Sequence, residues 1–334
     1  MTAAENATAQ AYESLRPLMF SIAYRMLGSV TEAEDIVQDA FVRYYRAVSE
    51  SGPPDSPKAY LSAVVTRLCI DHLRSARVRR ESYVGEWLPE PLVTGPDRQA
   101  GPAPDPADLA EQADSLSMAF LLVLERLTPV ERAVFLLHDI FSYDYDETAA
   151  IVGRNAVTCR QLAHRARQHV DEHRPRFETT AARRDELAAR FFDAVGSGDL
   201  DGLVSLLAED VTVYGDNGGV SPSWPRPITG RDPVGRLLTG IGAQLRDVHA
   251  AIEPIGVNGQ PGALIRDPEG RLISVFVLDI AGDQVHAIRS VINPDKLRHL
   301  GPLADVPGLR EQRRASRRAE PPAGGPRSSG RPGA

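Results

Sequence analysis

Residues 34–41, with the sequence EDIVQDAF, decide how the first part of the chain folds. Four apolar residues within this stretch recur at the spacings of one buried helix face: Ile36, Val37, Ala40 and Phe41. Thr31 and Glu34 have the spacing of a capping box, so we expect the helix to begin after Thr31. Its acids lie near the positive end of the helix, and no pocket is apparent beside them. They therefore indicate a protein-docking face rather than an acid–base pair.

This helix belongs to the first of several units into which the chain divides. Apolar periodicity predicts a helix before it, and turn residues at 51–57 predict a loop before a third helix at about 58–78. Together these helices form a domain spanning residues 10–80. Residues 81–115 hold six prolines and no periodicity, which predicts an acidic, flexible linker.

Charge is segregated along the chain, although the net charge is −7. Residues 67–80 carry five arginines and one acid, whereas residues 81–114 carry eight acids and one arginine. Residues 153–174 carry five arginines and three histidines. Because local basic faces rather than the total charge decide phosphate binding, two segments are candidates for nucleic-acid contact.

The arginine cluster at the end of the third helix has two interpretations. One is a solvated helix end, because cations are favoured at the C-terminal end of a helix dipole. The other is a surface for melted single strands, which are held by stacking on aromatic residues and by charge along the backbone. The candidate residues are Tyr60, Arg67, Arg74, Arg77, Arg79 and Arg80.

Residues 116–175 have the pattern of a helix-turn-helix domain. After an apolar helix, three more are predicted, at about 128–140, 145–152 and 156–173. Thr128 and Glu131 form a capping box that opens the first of the three. Gly153 closes the second, and Asn155 caps the last.

The last of these helices carries one polar face that suits base reading. Arginine and glutamine side chains make bidentate contacts with base edges in the major groove. The candidate residues are Thr158, Arg160, Gln161, His164 and Arg165. We expect Val157, Leu162 and Ala166 to turn toward the core. The alternative is a solvated polar face that contacts no DNA.

The pattern changes in residues 184–300 from helices alone to helices followed by strands. This order predicts an α+β domain with a curved antiparallel sheet and a cone-shaped interior. The cavity of such a fold leaves an enzyme open as an alternative, with Asp279 and His286 as the first candidates. The arginine-, proline- and glycine-rich composition of residues 301–334 predicts a disordered tail.

Several classes of protein are excluded by the signals that the sequence lacks. It has no signal peptide and no run of about 18 apolar residues, so we expect a cytoplasmic protein without membrane contact. Cys69 and Cys159 fall in separate domains, which predicts neither a disulfide nor a zinc site. Phosphate-loop, nucleophile-elbow and zinc-protease motifs are absent, so we expect no enzyme activity, no cofactor and no metal.

Motifs in the two helical domains resemble the extracytoplasmic-function (ECF) sigma factors of the sigma-70 family. Residues 12–80 resemble region 2 of that family through YRMLG at 24–28 and EAEDIVQDAF at 32–41. Residues 116–174 resemble region 4, the helix-turn-helix. The resemblance implies a multidomain fold, with two all-α sigma domains followed by the α+β domain and the tail.

Three further motifs resemble the subgroup of these sigma factors that carries a fused SnoaL-like domain, related to nuclear transport factor 2. They are YVGEWLPEPL at 83–92, CRQL at 159–162 and NPDKL at 293–297. The chain departs from the subgroup at residues 216–220, where DNGGV replaces DGGGK and the lysine is missing. It also carries Arg67 where many members have asparagine in the promoter-melting helix.

The resemblance implies a factor that brings the RNA polymerase core enzyme to promoter DNA. The implied polymerase contacts are Glu34, Asp35, Gln38 and Asp39. The third helix and its loop would capture the melted minus-10 element, and the polar face of the helix at 156–173 would read the minus-35 element. The acidic linker would follow a basic polymerase channel that RNA later occupies.

The fused domain is expected to regulate the sigma domains in cis, by packing against both and setting their spacing. The residues expected to do so are Asp216, Gly218, Gly219, Asn293, Pro294, Asp295, Lys296 and Leu297. Two alternatives stay open. One is a small-molecule enzyme or sensor, in which a SnoaL-like pocket takes an apolar, polyketide-like ligand. The other is an adaptor that uses its helix-turn-helix without polymerase.

Overall fold

The computed structural model divides into three groups of elements that correspond to the predicted domains. It describes residues 3–81, 83, 85–94, 115–173, 179–219, 226–309 and 311, with the backbone alone at 3, 4, 7, 76–81 and 173. The first group consists of three helices: α1 (Ala3–Leu27), α2 (Val30–Ser51) and α3 (Pro57–Glu81). None of the described helices is both long enough and apolar enough to cross a membrane.

Helix α2 buries the apolar face that its sequence predicts. The buried residues include Ile36, Val37, Ala40 and Phe41. The predicted start of the helix is wrong, because Ser29 is the N-cap and its hydroxyl accepts the amide of Glu32. Gly28, at a φ of 67°, turns the chain earlier than expected, so Thr31 falls inside the first helical turn.

The second group holds the helix-turn-helix. Its helices are α4 (Met118–Leu124), α5 (Pro129–Phe135), α6 (Tyr145–Val152) and α7 (Ala156–His173), with a π-helical turn at Leu136–Ile140. The capping box of Thr128 and Glu131 is present, and Gly153 closes α6 in the left-handed conformation at a φ of 67°. Asn155 caps α7, because its side-chain oxygen accepts the amide of Thr158 at 2.8 Å.

The two helical domains share one hydrophobic core instead of standing apart on a flexible tether. Buried residues from α1–α3 and from the helix-turn-helix form a single cluster. Arg132 is buried at this boundary, 2.8 Å from Glu125, and donates to the carbonyl of Met26. Arg25 donates across the boundary to Ser115 at 3.1 Å. Burial lowers the pKa of Arg25 to about 10, so it is still a cation at neutral pH.

Part of the predicted flexible linker is ordered, so the expectation for residues 81–115 does not hold along its whole length. Residues 85–94 run across the C-terminal domain, where Leu88 is only 1% exposed. β1 (Val93–Thr94) pairs with residues 256–257 and adds a strand to the sheet of that domain. Periodicity does not reveal such a segment, because its apolar side chains bury against a distant part of the chain.

The C-terminal domain is an α+β unit, as predicted, but its sheet is mixed. Its helices are α8 (Ala181–Ser197), α9 (Leu200–Leu206) and α10 (Arg231–Asp247). Its strands are β2 (Leu207–Asp216), β3 (Ile228–Thr229), β4 (Ala251–Val257), β5 (Gln260–Arg266), β6 (Leu272–Ala281) and β7 (Gln284–Val291). The strand order is β1-β4-β5-β6-β7-β2-β3, and β2 runs parallel to β7. The expectation of a purely antiparallel sheet is wrong, because the long excursion from β2 to β7 returns the chain in the same direction.

Each face of the sheet buries a separate core. Helices α8 to α10 cover one face, where the buried residues include Phe191 and Phe276. Leu88 of the linker, Met118 of α4 and Leu297 cover the other face. Burial of apolar surface, the dominant favourable term in such packing, therefore joins the sheet to the helical part of the chain.

The first residues of the predicted disordered tail are also ordered. Leu303 forms a bridge with Leu272, and the amide of Ala304 donates to the Leu272 carbonyl at 2.9 Å. Residues 302–304 therefore lie against the start of β6, and the prediction of disorder is wrong for the described residues 301–309. The contact is made by backbone groups of so few residues that no periodic pattern marks it. Of the remainder, only residue 311 is described.

Asn258 ties the tip of the β4–β5 hairpin to the helical domains. It forms a two-residue turn with Gly259, and the positive φ angles of 54° and 69° suit a tight hairpin. Its buried side chain donates to the Tyr24 hydroxyl at 2.7 Å and to the Leu116 carbonyl at 3.0 Å. Its oxygen accepts the Leu92 amide at 2.9 Å. One side-chain amide therefore links α1, the linker and the segment before α4.

Replacing Asn258 by glycine keeps the left-handed turn but removes the hydrogen bonds of the side chain. We expect Asn258→Gly to lower the free energy of unfolding by about 3 kcal/mol, because each buried partner left without a bond costs about 1–3 kcal/mol. Unfolding in urea measures the loss. His249→Gly is the matched control, since His249 also has a positive φ, 52°, but is exposed. Equal losses in the two variants would contradict this role of Asn258.

Candidate polymerase and promoter interface

Helix α2 presents three residues of the predicted polymerase face to solvent. Asp35, Gln38 and Asp39 are exposed on it. Glu34 differs, because both of its carboxylate oxygens accept the guanidinium of Arg16 at 2.7 Å. The charge of Glu34 is therefore neutralised within the domain. The exposed acidic charge of this face comes from Asp35 and Asp39.

An apolar groove that sequence reasoning missed lies beside this face. It runs between the start of α1 and α2 and has a volume of about 480 Å³. Tyr12, Val42 and Tyr45 line it, and each is at least 40% exposed. The sequence did contain a signal for this groove. Val42 and Tyr45 are apolar, although they lie outside the predicted buried face of their helix. An apolar groove with an acidic rim suits a helical partner that carries apolar and basic residues.

Glu90 of the linker caps the N-terminus of α2. Its carboxylate accepts the amides of Val30 and Thr31 at 2.8 Å and 3.0 Å, and the Ser29 hydroxyl at 2.7 Å. A carboxylate at this position satisfies unpaired amides and complements the helix dipole. Sequence reasoning missed Glu90 because nothing local distinguishes it from the other linker acids. The linker thus holds the helix that carries the predicted polymerase face.

Three of the predicted minus-10 residues have described side chains, and these differ in exposure and in partners. Tyr60 is half-buried, and its ring centroid lies 5.9 Å from that of Tyr44. Arg74 is exposed and pairs with Asp71 at 3.4 Å. The side chains that lie outside the described residues are those of Arg77, Arg79 and Arg80.

Arg67 is exposed, and its guanidinium is bonded to the helix-turn-helix domain. Its guanidinium donates to the carbonyls of Ala150 and Ile151, both at 2.9 Å, at the C-terminal end of α6. A cation is favoured there because the last carbonyls of a helix are unpaired and form the negative end of its dipole. Nearby, Ser62 and Tyr143 share a hydrogen bond of 2.7 Å. These contacts cover part of the helix for which a promoter-melting role was predicted.

The polar face of α7 is open to solvent. Its exposed residues are Arg160, Gln161, His164 and Arg165, and Thr158 is half-buried. The Arg160 guanidinium lies over the ring of Tyr145, 5.3 Å from its centroid. Arg165 lies 3.4 Å from Glu131. These contacts orient both guanidinium groups and leave them accessible.

The predicted orientation of α7 is wrong at Val157. Leu162 and Ala166 are buried as expected, but Val157 is 61% exposed. Val157 precedes Gln161 by four residues and His164 by seven, which places all three on one side of the helix. Its apolar character indicated the core, whereas its position relative to the polar residues indicates the exposed face.

Motifs of the linker and the C-terminal domain meet in one buried cluster, which we call the linker clasp. It comprises Tyr83, Leu88, Asp216, Asn293 and Lys296. The carboxylate of Asp216 is fully buried and accepts the Lys296 ammonium at 2.6 Å and the Leu88 amide at 2.9 Å. Lys296 also donates to the Leu88 carbonyl and lies 4.4 Å from the ring centroid of Trp87. The lysine of the 293–297 motif thus contacts two consecutive linker residues, the ring of Trp87 and the carbonyl of Leu88.

The remaining groups of the linker clasp hold Tyr83. Its hydroxyl donates to Asp216 and accepts the side-chain amide of Asn293 at 2.9 Å. Burial, reinforced by the Asp216 charge, raises the pKa of Tyr83, so the phenol stays protonated and remains a donor. A side chain at Gly218, where φ is 60°, would come within 2.6 Å of Asn293. The other predicted residues differ in exposure: Gly219 and Asp295 are exposed, Pro294 is half-buried and Leu297 is buried.

These bonds differ from the expectation that the two segments pack directly against both sigma domains. Asp216, Asn293 and Lys296 each form a hydrogen bond with the linker. Contact with α1 and α2 is made instead through Asn258 and through Glu90 of the linker. The C-terminal domain therefore reaches the helices through the linker, through Asn258 and through the apolar contact with Met118 of α4.

The two residues considered for an enzyme do not form a common site. Asp279 is buried in an ion pair with Arg289. His286 is exposed and lies 3.9 Å from Asp210. The register pairs Asp279 with Ala287, and a register shift follows between Asp279 and Ile280, so the usual alternation of side chains does not apply at His286. In the described part of the chain, no group of three or more histidine, cysteine or acidic side chains could hold a metal ion.

Family models match the three domains in their predicted order. The model of Sigma-70 region 2 matches residues 11–79, and that of Sigma-70 region 4 matches residues 117–170. A SnoaL-like domain matches residues 188–289. The helical part is therefore that of a sigma-70 protein and the α+β part is SnoaL-like, which confirms the predicted fold class.

Relatives that cover most of the chain define the family more narrowly. The ECF RNA polymerase sigma factor SigJ of Mycobacterium tuberculosis is 38% identical over 300 residues, which cover 85% of this chain and 91% of the relative. The probable ECF RNA polymerase sigma factor SigI of that species is 34% identical over 288 residues, 86% of this chain and 93% of the relative. The crystal structure of SigJ is 36% identical, with a TM-score of 0.68, and the match covers 89% of this chain and 100% of that one. The protein belongs to the ECF sigma factors of the sigma-70 family.

Removing the cation of the linker clasp should release the linker. Lys296→Met leaves the Asp216 carboxylate buried without its partner, a change that costs about 3–5 kcal/mol in comparable pairs. We expect chymotrypsin to cleave after Trp87 at least about tenfold faster in this variant, because cleavage follows the population of the released segment. Mass spectrometry of the fragments gives the rate. Arg298→Met is the matched control, since Arg298 pairs with Asp295 at an exposed position. Unchanged cleavage in Lys296→Met would show that the pair does not anchor the linker.

Proposed function

We propose that this protein directs the RNA polymerase core enzyme to promoters in the cytoplasm, as an ECF sigma factor. The observation that carries the proposal is the exposed polar face of α7, joined in one chain to a region 2 with an exposed acidic face. The relatives named above support it, because they are named as ECF RNA polymerase sigma factors. Contact with the polymerase and contact with the promoter are both binding events, so the proposal assigns no catalytic step to the chain.

The polymerase contact is proposed for the acidic face of α2 and the apolar groove beside it. Asp35 and Asp39 supply exposed charge, and Gln38 lies at the edge of the groove. Tyr12 and Tyr45 supply aromatic surface, with 44% and 40% exposure. Aromatic anchors within a polar surround carry most of the binding energy in protein interfaces. The partner that fits is a polymerase helix with apolar and basic residues.

Reversing one charge on this face should weaken polymerase binding without unfolding the domain. We expect Asp39→Lys to lower the affinity for core polymerase by at least about tenfold, because like charges brought together at an interface cost several kcal/mol. Fluorescence anisotropy with purified core enzyme measures the affinity, and run-off transcription measures start-site selectivity. Asp201→Lys is the control, since Asp201 is exposed on α9 of the C-terminal domain. If the wild-type protein gives core enzyme no start-site selectivity, the proposed function is wrong.

Promoter contacts are proposed for α7 and α3. In α7, Arg160 and Gln161 suit bidentate contacts with guanine and adenine in the major groove of the minus-35 element. In α3, Tyr60 would stack on a melted base of the minus-10 element and Arg74 would lie near the backbone. Arg67 could join them only after it has left the end of α6.

We further propose that the C-terminal domain regulates the sigma domains in cis through the linker. The linker clasp holds Leu88, Glu90 caps α2, and Asn258 bonds to α1. Together these contacts favour a closed form, in which Arg67 is bonded to α6. An open form would expose α3 and meet both promoter elements. The strength of the linker clasp then sets the ratio of the two forms.

Weakening the linker clasp should raise activity when the sigma factor is limiting. We expect Lys296→Met to give at least about fivefold more run-off transcript than wild type. A factor of about five is the lower end of the effects that coupling between two sites ordinarily produces. The difference should shrink at saturating protein, because polymerase binding then selects the open form. Arg298→Met should match the wild type. Equal yields from wild type and Lys296→Met at every concentration would reject regulation by this route.

A further inference from the structure

We infer that Val157 is a specificity-determining residue that contacts the methyl group of a thymine in the minus-35 element. The inference rests on the proposed function and names one feature of the DNA that α7 would read. Val157 is the second residue of α7 and is 61% exposed. A single exposed valine is ordinary on a protein surface, so the inference rests on the position of Val157 within the face of α7 that would enter the major groove.

Val157 begins the central row of the exposed face of α7. Gln161 and His164 follow at four and seven residues, and both are exposed. In helix-turn-helix proteins the N-terminal residues of the second helix approach the base edges in the major groove. The cap formed by Asn155, whose side chain accepts the Thr158 amide at 2.8 Å, orders the first turn. The direction of the Val157 side chain is therefore set by the same turn that would enter the groove.

The cations of this face stand on either side of that row. Arg160 is held over the ring of Tyr145, at 5.3 Å, on one side. Arg165 lies 3.4 Å from Glu131 on the other. This arrangement suits contacts with DNA at both edges of the face. The middle of the face, where Val157 lies, would then contact the base edges on the floor of the major groove.

The chemistry of the side chain selects one feature of the base pairs. The thymine C5 methyl group is apolar, whereas the other distinguishing groups in the major groove are hydrogen-bond donors and acceptors. Val157 can form no hydrogen bond with those donors and acceptors. Its contact with the thymine methyl group would remove the apolar surface of both groups from water. A single side chain offers far less than the area on the order of several hundred Å² that marks a protein-docking patch. The DNA methyl group is the partner that matches its size.

Substitution of thymine by deoxyuracil tests this contact, because it removes the methyl group and keeps the hydrogen-bonding edge. Holoenzyme formed from full-length protein and core polymerase first selects promoters from a random upstream library. Each thymine of the selected minus-35 element is then replaced singly, and the affinity of the holoenzyme for the duplex is measured. Wild type is expected to lose about fourfold at one thymine, the value for one methyl-sized group removed from water. Val157→Ala should bind both bases equally there, and its helix is retained because alanine favours helix.

Leu200→Ala is the matched control, because Leu200 is 40% exposed at the start of α9 in the C-terminal domain. It should keep the loss seen in wild type. Selective initiation by wild type with no methyl-sensitive thymine would overturn the inference and leave the proposed function standing. A Val157→Ala variant that keeps the full loss would do the same. Absence of selective initiation by wild type would overturn the proposed function, and the inference with it.

Discussion

The buried ion pair of Asp216 and Lys296 is the contact on which the arrangement of the domains depends. Two charges in apolar surroundings are stable only when both are present and their remaining hydrogen-bonding capacity is satisfied. Leu88 supplies hydrogen bonds to both charges, since its amide donates to Asp216 and its carbonyl accepts a hydrogen bond from Lys296. The pair is therefore complete only when the linker is in place. In turn, the loss of either charge would remove the hydrogen bonds that hold Leu88.

Once Leu88 is fixed, the next few residues of the linker act on two domains at once. Glu90 caps α2 on one side, and β1 joins the sheet on the other. Glu90 is also one of the acids expected to follow the basic channel of the polymerase. It cannot serve in both places, because its oxygens are occupied by the first amides of α2. In the proposed function, a linker that enters the polymerase must first leave the linker clasp, so polymerase binding and the closed form would compete for the same segment.

The parts of the fold that sequence could predict are those fixed by local physics. Helices α2 and α7 follow from apolar spacing, and the cap of Asn155 follows from its own side chain. The ordered residues 85–94 and 301–309 could not be predicted, because their partners are far away in sequence and their own pattern is irregular. The contacts of Arg67 and Glu90 could not be predicted for the same reason: each is a charged residue whose partner is the end of a distant helix. Among the candidate site residues, the exposed faces of α2 and α7 were therefore better anticipated than the contacts between domains.

In the proposed regulation, the place of Arg67 would explain how a closed form is stable and still yields to DNA. In the closed form its guanidinium meets two carbonyls at the end of α6, where the dipole amounts to about half an elementary charge. A phosphate offers a full charge together with the release of its counterions. The exchange is therefore favourable when DNA is close, but separating α3 from α6 also exposes apolar surface of the shared core. Polymerase can offset that cost by binding α2 and bringing the promoter to both sigma domains at high effective concentration. In the free protein nothing offsets this cost, so the closed form is expected when polymerase is absent.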